Sequence, residues 1–139
     1  MKQHKTSKAF KNHIRICYWN IGGVNTHNMN KLKDENFVQE IQNFDIVILA
    51  ETHIGYDTDI NIDGFNYFPL CRHVSANGRY YGGLGIFRRK SLKDHIKILP
   101  GIHKDFQWIK IEKDFVNIKK IFIYVQHTFL QLTPPIQEC

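Results

Sequence analysis

Glu51 is the side chain in this sequence best placed to do chemistry. It stands directly after Ile46–Ala50, an unbroken apolar run rich in β-branched residues, which reads as a strand buried on both faces. A carboxylate at the tip of such a strand is held rigidly yet meets solvent, a placement suited to a metal ligand or a general base. The plainer reading is that Glu51 marks where the strand leaves the core. Asn20 is the second candidate, an amide at the end of another short β-prone run, followed by Ile21-Gly22-Gly23. Two glycines there let the backbone turn sharply or approach a ligand closely. His53 lies two residues beyond Glu51, and Arg88-Arg89-Lys90 forms a basic cluster that reads either as a phosphate contact or as a solvated edge.

The elements that must position these groups follow from periodicity. Residues 14–19 alternate and predict a first strand. Residues 31–43 predict a helix, with Asn30 as N-cap, Asp34 and Glu35 in the early turns, and Leu32, Val38 and Ile41 on an imperfect apolar face. Strand, helix, strand over this distance predicts a βαβ crossover. It would bring Asn20 and Glu51 to one edge of a parallel pair, where open α/β sheets bind ligands. Phe65–Leu70 reads as a short strand, and Asn77-Gly78 is the strongest hairpin signal in the chain, with residues 80–87 as the return strand. Gly82, Gly83 and Gly85 look like a nucleotide loop, but no Gly-Lys-Ser/Thr follows and no helix opens there. They read better as glycines in a strand against which another element packs closely.

Residues 55–64 are a polar loop in which Asp57, Asp59 and Asp63 resemble a calcium loop only superficially, since the closing glutamate is missing. Residues 106–112 and 120–125 predict two more strands around a polar turn at 114–119. From Gln126 onward the period is lost, and Pro134-Pro135 falls in that stretch. The expected organisation is therefore a basic mobile tail over residues 1–13, a partial α/β domain over 14–125, and an irregular tail over 126–139.

With 139 residues, of which 42% are hydrophobic, the chain is one domain's worth and can build a core. A formal charge of +6 favours an anionic partner, nucleic acid ahead of membrane, because no basic amphipathic helix and no transmembrane-length run stands out. Cys17, Cys71 and Cys139 are odd in number and far apart, and no His pair has zinc-ligand spacing. These features fit a reduced intracellular setting, nuclear or cytoplasmic. A mitochondrial presequence is the lesser alternative for the lysine-bearing first residues, which contain no Arg.

Three stretches occur in an order that resembles one family. They are Tyr18-Trp19-Asn20-Ile21-Gly22-Gly23, then Asp45-Ile46-Val47-Ile48-Leu49-Ala50-Glu51-Thr52-His53, then Gly82-Gly83-Leu84-Gly85-Ile86-Phe87-Arg88. Together they resemble the N-terminal half of the endonuclease/exonuclease/phosphatase superfamily, most of all the apurinic-type endonuclease domain of LINE-type retrotransposons. The resemblance implies a four-layer α/β/β/α sandwich, here truncated, and Mg²⁺-dependent hydrolysis of DNA phosphodiesters. It implies Glu51 as the metal-binding carboxylate and Asn20 as the amide shaping the metal and phosphate site. His53, Arg88 and Arg89 become nucleic-acid contacts of lower rank.

Two departures accompany the resemblance. Gly22 stands where some relatives carry an acid, and the second-half motifs, Asp-x-Asn and a C-terminal Ser-Asp-His, are not in this sequence. The expectation is a truncated fragment with little or no hydrolysis of its own. The rival readings are a non-catalytic basic nucleic-acid-binding module, and a phosphatase or lipid phosphodiesterase of the same superfamily. For the tail, one reading is the family's coding sequence in a shifted frame, which would restore a Thr-Tyr-Ile-Pro segment after residue 125; the other is ordinary divergence.

Overall fold

The computed structural model describes residues 13–72, 74–99, 106–112, 121–126 and 130–133. The expected basic tail, apart from His13, and the polar turn at 114–119 lie outside them. Within the described residues the chain runs β1 (Ile16–Asn20), β2 (Asn25–Thr26), β3 (Met29–Asn30), α1 (Glu35–Gln42), β4 (Ile46–Ala50), β5 (Phe65–Leu70), β6 (Leu84–Arg89), β7 (Ile96–Ile98), β8 (Phe106–Ile111), β9 (Ile121–Gln126) and β10 (Leu130–Thr133). Short 3₁₀ turns at Lys31–Lys33 and Lys90–Leu92 complete the described helical elements.

Two four-stranded sheets carry the architecture. The first has the order β1-β4-β6-β5, and the second β10-β9-β8-β7. In the first, β1 and β4 are parallel while β6 is antiparallel to both β4 and β5, so the sheet is mixed. The second is antiparallel throughout.

Strand β4 is buried at all five positions, which accounts for its unbroken apolar sequence. Its Ile46, Ile48 and Ala50 pack with Leu84 and Ile86 of β6 against Leu92, Ile96, Ile109 and Ile111 of the second sheet and its approach. Its Val47 and Leu49 face the other way, toward Phe37 and Ile41 of α1, Val24, Ile54, Ile62 and Phe87. The period of two along β4 thus separates two apolar clusters, and the described layers are helix with loops, sheet, sheet. Residues of the second sheet and its approach thus cover one face of the first. A fourth layer is not among the described residues.

The helix differs from its expectation. Residues 31–43 are not continuous, because Asp34 is extended (φ −77°, ψ 121°) and its carboxylate accepts from the Asn36 and Phe37 backbone N–H groups at 2.9 and 3.2 Å. Asp34 is therefore the N-cap of α1, while Asn30 caps the preceding 3₁₀ turn through Leu32 N–H at 2.9 Å. The face that α1 buries is centred on Phe37 and Ile41, with Val38 at its side.

The tail is also corrected in part. Leu130–Thr133 pair antiparallel with β9, Leu130 opposite Val125 and Thr133 opposite Phe122. A docked strand inside the supposedly irregular stretch counts against a shifted reading frame. The Asn77-Gly78 hairpin holds in topology, since β5 and β6 pair antiparallel on either side of it. The turn is closed by Gly78 N–H donating to Ser75 O at 2.9 Å, and the return strand begins only at Leu84.

Candidate functional site

The parallel pairing of β1 and β4 sets Asn20 opposite Ala50, so Glu51 is the next residue out from Asn20 at the same sheet edge. Two backbone loops leave that edge together. Ile21 N–H donates to Ala50 O at 3.1 Å, Gly23 N–H to Glu51 O at 2.7 Å, and Val24 N–H to Thr52 O at 2.9 Å. The Asn20 side chain is exposed, and its Oδ1 accepts from Gly22 N–H at 3.1 Å. That short local turn fixes the amide where the strand ends.

Glu51 and His53 both have left-handed backbones, φ +57° and +54°. Each conformation costs about 1–2 kcal/mol for a residue with a Cβ. Strain of this kind persists only where the surroundings over-determine it. Here they do, for a third segment clamps the same turn from its other side: Thr52 N–H donates to Gly83 O at 3.2 Å and His53 N–H to Gly82 O at 2.8 Å. Three loops therefore meet at one sheet edge, carrying the three sequence stretches with Asn20, Glu51 and the glycine pair.

The Glu51 and His53 side chains are each about one-third exposed, and Glu51 Oε2 lies 2.8 Å from His53 Nε2. Because the residue between them points inward, two residues along an αL turn return to the same side. The pair orients the carboxylate while leaving it in contact with solvent. Tyr18, on β1, has its phenol pushed up by burial and, to a lesser degree, by the negative charge of Glu51. The carboxylate is therefore felt inside the edge as well as outside it. A groove of about 490 Å³ lined by Trp19, Met29 and Phe37 opens beside Asn20 on the helix side, but Glu51 is not in its wall.

A divalent ion can be tested against these residues. No group of three or more His, Cys, Asp and Glu residues gathers to hold a metal among the described residues. Glu51 with the Asn20 amide instead offers a single carboxylate at an open edge. That donor set fits a hard cation that keeps most of its waters and takes further oxygens from a substrate.

Arg88 and Arg89 fall elsewhere. Arg88 is opposite Ile46, at the start of β4, whereas Glu51 follows its end. The Arg88 guanidinium donates to Ile96 O and Asn66 Oδ1, both at 3.0 Å, and lies 4.9 Å from the Phe68 ring centroid. Arg89 lies over Phe65 at 4.8 Å and 3.7 Å from the buried carboxylate of Asp45. Both arginines hold the far end of the sheet together, at the end of β4 away from Glu51. His53, expected to face nucleic acid, is turned onto Glu51.

Sequence reasoning missed Tyr81. Its ring is half exposed and meets His53 edge-on at 6.3 Å between centroids. It belongs to the loop 71–83, which carries Arg72 and Arg79 and no acid. That absence of acids beside a Tyr-Tyr pair was the available signal.

A model described as the endonuclease/exonuclease/phosphatase family matches residues 17–136. Among curated proteins, none matches this chain.

Proposed function

Because the chain belongs to the endonuclease/exonuclease/phosphatase family, a family of nucleases and phosphatases that commonly use divalent metals, we propose that it carries part of a Mg²⁺-dependent DNA endonuclease site of retrotransposon type. Glu51 is the carboxylate that holds the ion, and Asn20 places its amide beside the scissile phosphate. Mg²⁺, when bound, supplies charge stabilisation on phosphoryl oxygens and orientation of a water. The chain's own contribution is positional: the strained turn fixes Glu51, and the His53 contact keeps the carboxylate from rotating. The observation that carries this reading is the meeting of Asn20 and Glu51 at one parallel-strand edge.

With one carboxylate and one amide at the edge, and no cluster of three or more His, Cys, Asp or Glu residues to hold a metal among the described residues, the chain alone hydrolyses DNA poorly. Missing members of a cooperating set remove most of the rate. A chimera joining this chain to the second half of a family member tests the proposal. It should nick supercoiled DNA with Mg²⁺, and Glu51→Gln should abolish the nicking. Equal nicking by that variant would remove Glu51 from the site.

The second reading, a basic module that binds nucleic acid without cleaving it, is favoured by the half-exposed Tyr81 in an acid-free stretch of sequence that also carries Arg72 and Arg79. Salt-sensitive binding by the unmodified chain, with no turnover in the chimera, would select it. Phosphatase or lipid phosphodiesterase activity is separated by offering the chimera anionic lipid and abasic DNA in parallel.

A further inference from the structure

We propose that Thr52 and Gly83 form a peg and notch that hold the Glu51 carboxylate in place, so that the glycine pair 82–83 serves the site as a buttress and not as a phosphate cradle. The inference rests on the reading of Glu51 as the metal-binding carboxylate and names the residues that position it.

Thr52 is the inward-pointing member of the Glu51-Thr52-His53 turn and is 1% exposed. Both of its backbone polar groups are used, the N–H toward Gly83 O at 3.2 Å and the carbonyl from Val24 N–H at 2.9 Å. Its hydroxyl has no hydrogen-bond partner among the described residues, an unfavourable state for a buried oxygen. Hydrogen bonding therefore does not explain the side chain; packing does. A Cβ on Gly83 would stand 2.5 Å from Thr52 Oγ1, a distance no real pair adopts. Gly83 is also left-handed, at φ +90°, which again excludes a side chain. The glycine is thus required twice, by its backbone and by the peg seated against it.

The consequence runs through geometry. Glu51 and His53 meet at 2.8 Å from left-handed backbones on either side of Thr52. The residue between them is the only one of the three buried, so its seat determines whether both neighbours keep that conformation. Gly23 closes the other side, where an added Cβ would lie 3.3 Å from His53 Nδ1. Thr52 and Gly83 are positioning residues: they act through Glu51 and touch no substrate.

The test uses the full chain and two readouts. One is Mg²⁺ affinity, followed by the Glu51 amide resonance. The other needs no metal: nuclear Overhauser contacts from the His53 ring to the Tyr81 ring and the Gly23 α-protons. Thr52→Ala, which empties the notch, should weaken Mg²⁺ binding on the order of tenfold, as loss of a supporting group around a ligand does, and should erase the His53 contacts. Thr52→Ser, which keeps the oxygen, should retain both. Gly83→Ala should lose both, and adding Thr52→Ala to it should recover part of the loss because the clashing oxygen is gone.

Unchanged His53 contacts in Thr52→Ala and Gly83→Ala, with only the melting temperature lowered, would overturn the proposal. So would a double variant equal to the product of the two singles. If the wild type fails to bind Mg²⁺ while the His53 contacts respond as stated, the peg stands and the metal reading falls. If Glu51-dependent Mg²⁺ binding is present and all four variants match wild type in both readouts, the peg falls and the metal reading stands.

Discussion

Glu51 and His53 meet on either side of a buried threonine, with both backbones held left-handed, φ +57° and +54°. The carboxylate so held has one oxygen on His53 at 2.8 Å. Glu51→Gln keeps the shape and removes the charge, so the fold should persist while Mg²⁺ affinity drops by at least about a hundredfold, the top of the range for losing a group that merely supports a ligand; calorimetric titration of the two proteins checks it. His53→Ala should cost less, on the order of tenfold, because it frees the carboxylate to rotate without removing a donor. Glu51 and Asn20 were legible in the sequence because each ends an apolar strand. The left-handed turn was not legible: nothing in Glu-Thr-His favours positive φ, and the conformation is imposed by Gly23 and Gly83 from distant parts of the chain. Tyr81 was missed for a related reason, since a tyrosine in a β-prone run looks buried until the strand is seen to start three residues later, at Leu84.

At the scale of elements, β4 and β5 appear within the bounds their sequences predict, because a strand covered on both faces and a strand fenced by turn residues each leave a clear pattern. The helix was overextended, because Asp34 was read as an acid in an early turn when it is the cap. Asp34→Ala should therefore lower stability by about 1 kcal/mol, measurable by urea unfolding, and Asn30→Ala by less, since the short turn it caps buries no residue. Strand β10 was not foreseen because an edge strand of four residues carries little periodicity. Arg88 and Arg89 sit at the end of β6 remote from Glu51 and are engaged with Phe68, Phe65 and Asp45. Arg89→Gln should cost about 1.5–3 kcal/mol of stability, the value of a hydrogen bond involving a charged group, here the one the guanidinium donates to Gln42 O. It should change DNA affinity far less than Tyr81→Ala, whose loss of a stacking platform is worth about 1–3 kcal/mol; fluorescence anisotropy on a short DNA compares the two.

Across the whole molecule, one strand, β4, separates two apolar clusters that together draw on α1, both sheets and the loops at the site. That sharing predicts a single cooperative melt for the described core. Phe87, fully buried and packed edge-on against Phe65, should cost about 3–5 kcal/mol when cut to alanine. No helix among the described residues is long and apolar enough to cross a membrane. The charge of +6 should make nucleic-acid binding fall steeply with salt. The family, the parallel pair and the shared edge could be anticipated from ordered motifs; the cover of the second sheet over the first could not, because the strands that supply it alternate no differently from strands facing solvent. The central claim is that a divalent ion is held at the edge where Asn20 and Glu51 meet. Paramagnetic broadening by Mn²⁺ in the backbone amide spectrum tests it most directly. Low Mn²⁺ should broaden residues 20–23, 51–53 and 82–83 first and leave Arg88 and Arg89 sharp, and Glu51→Gln should remove the effect. Broadening centred elsewhere, or unchanged in Glu51→Gln, would contradict the account.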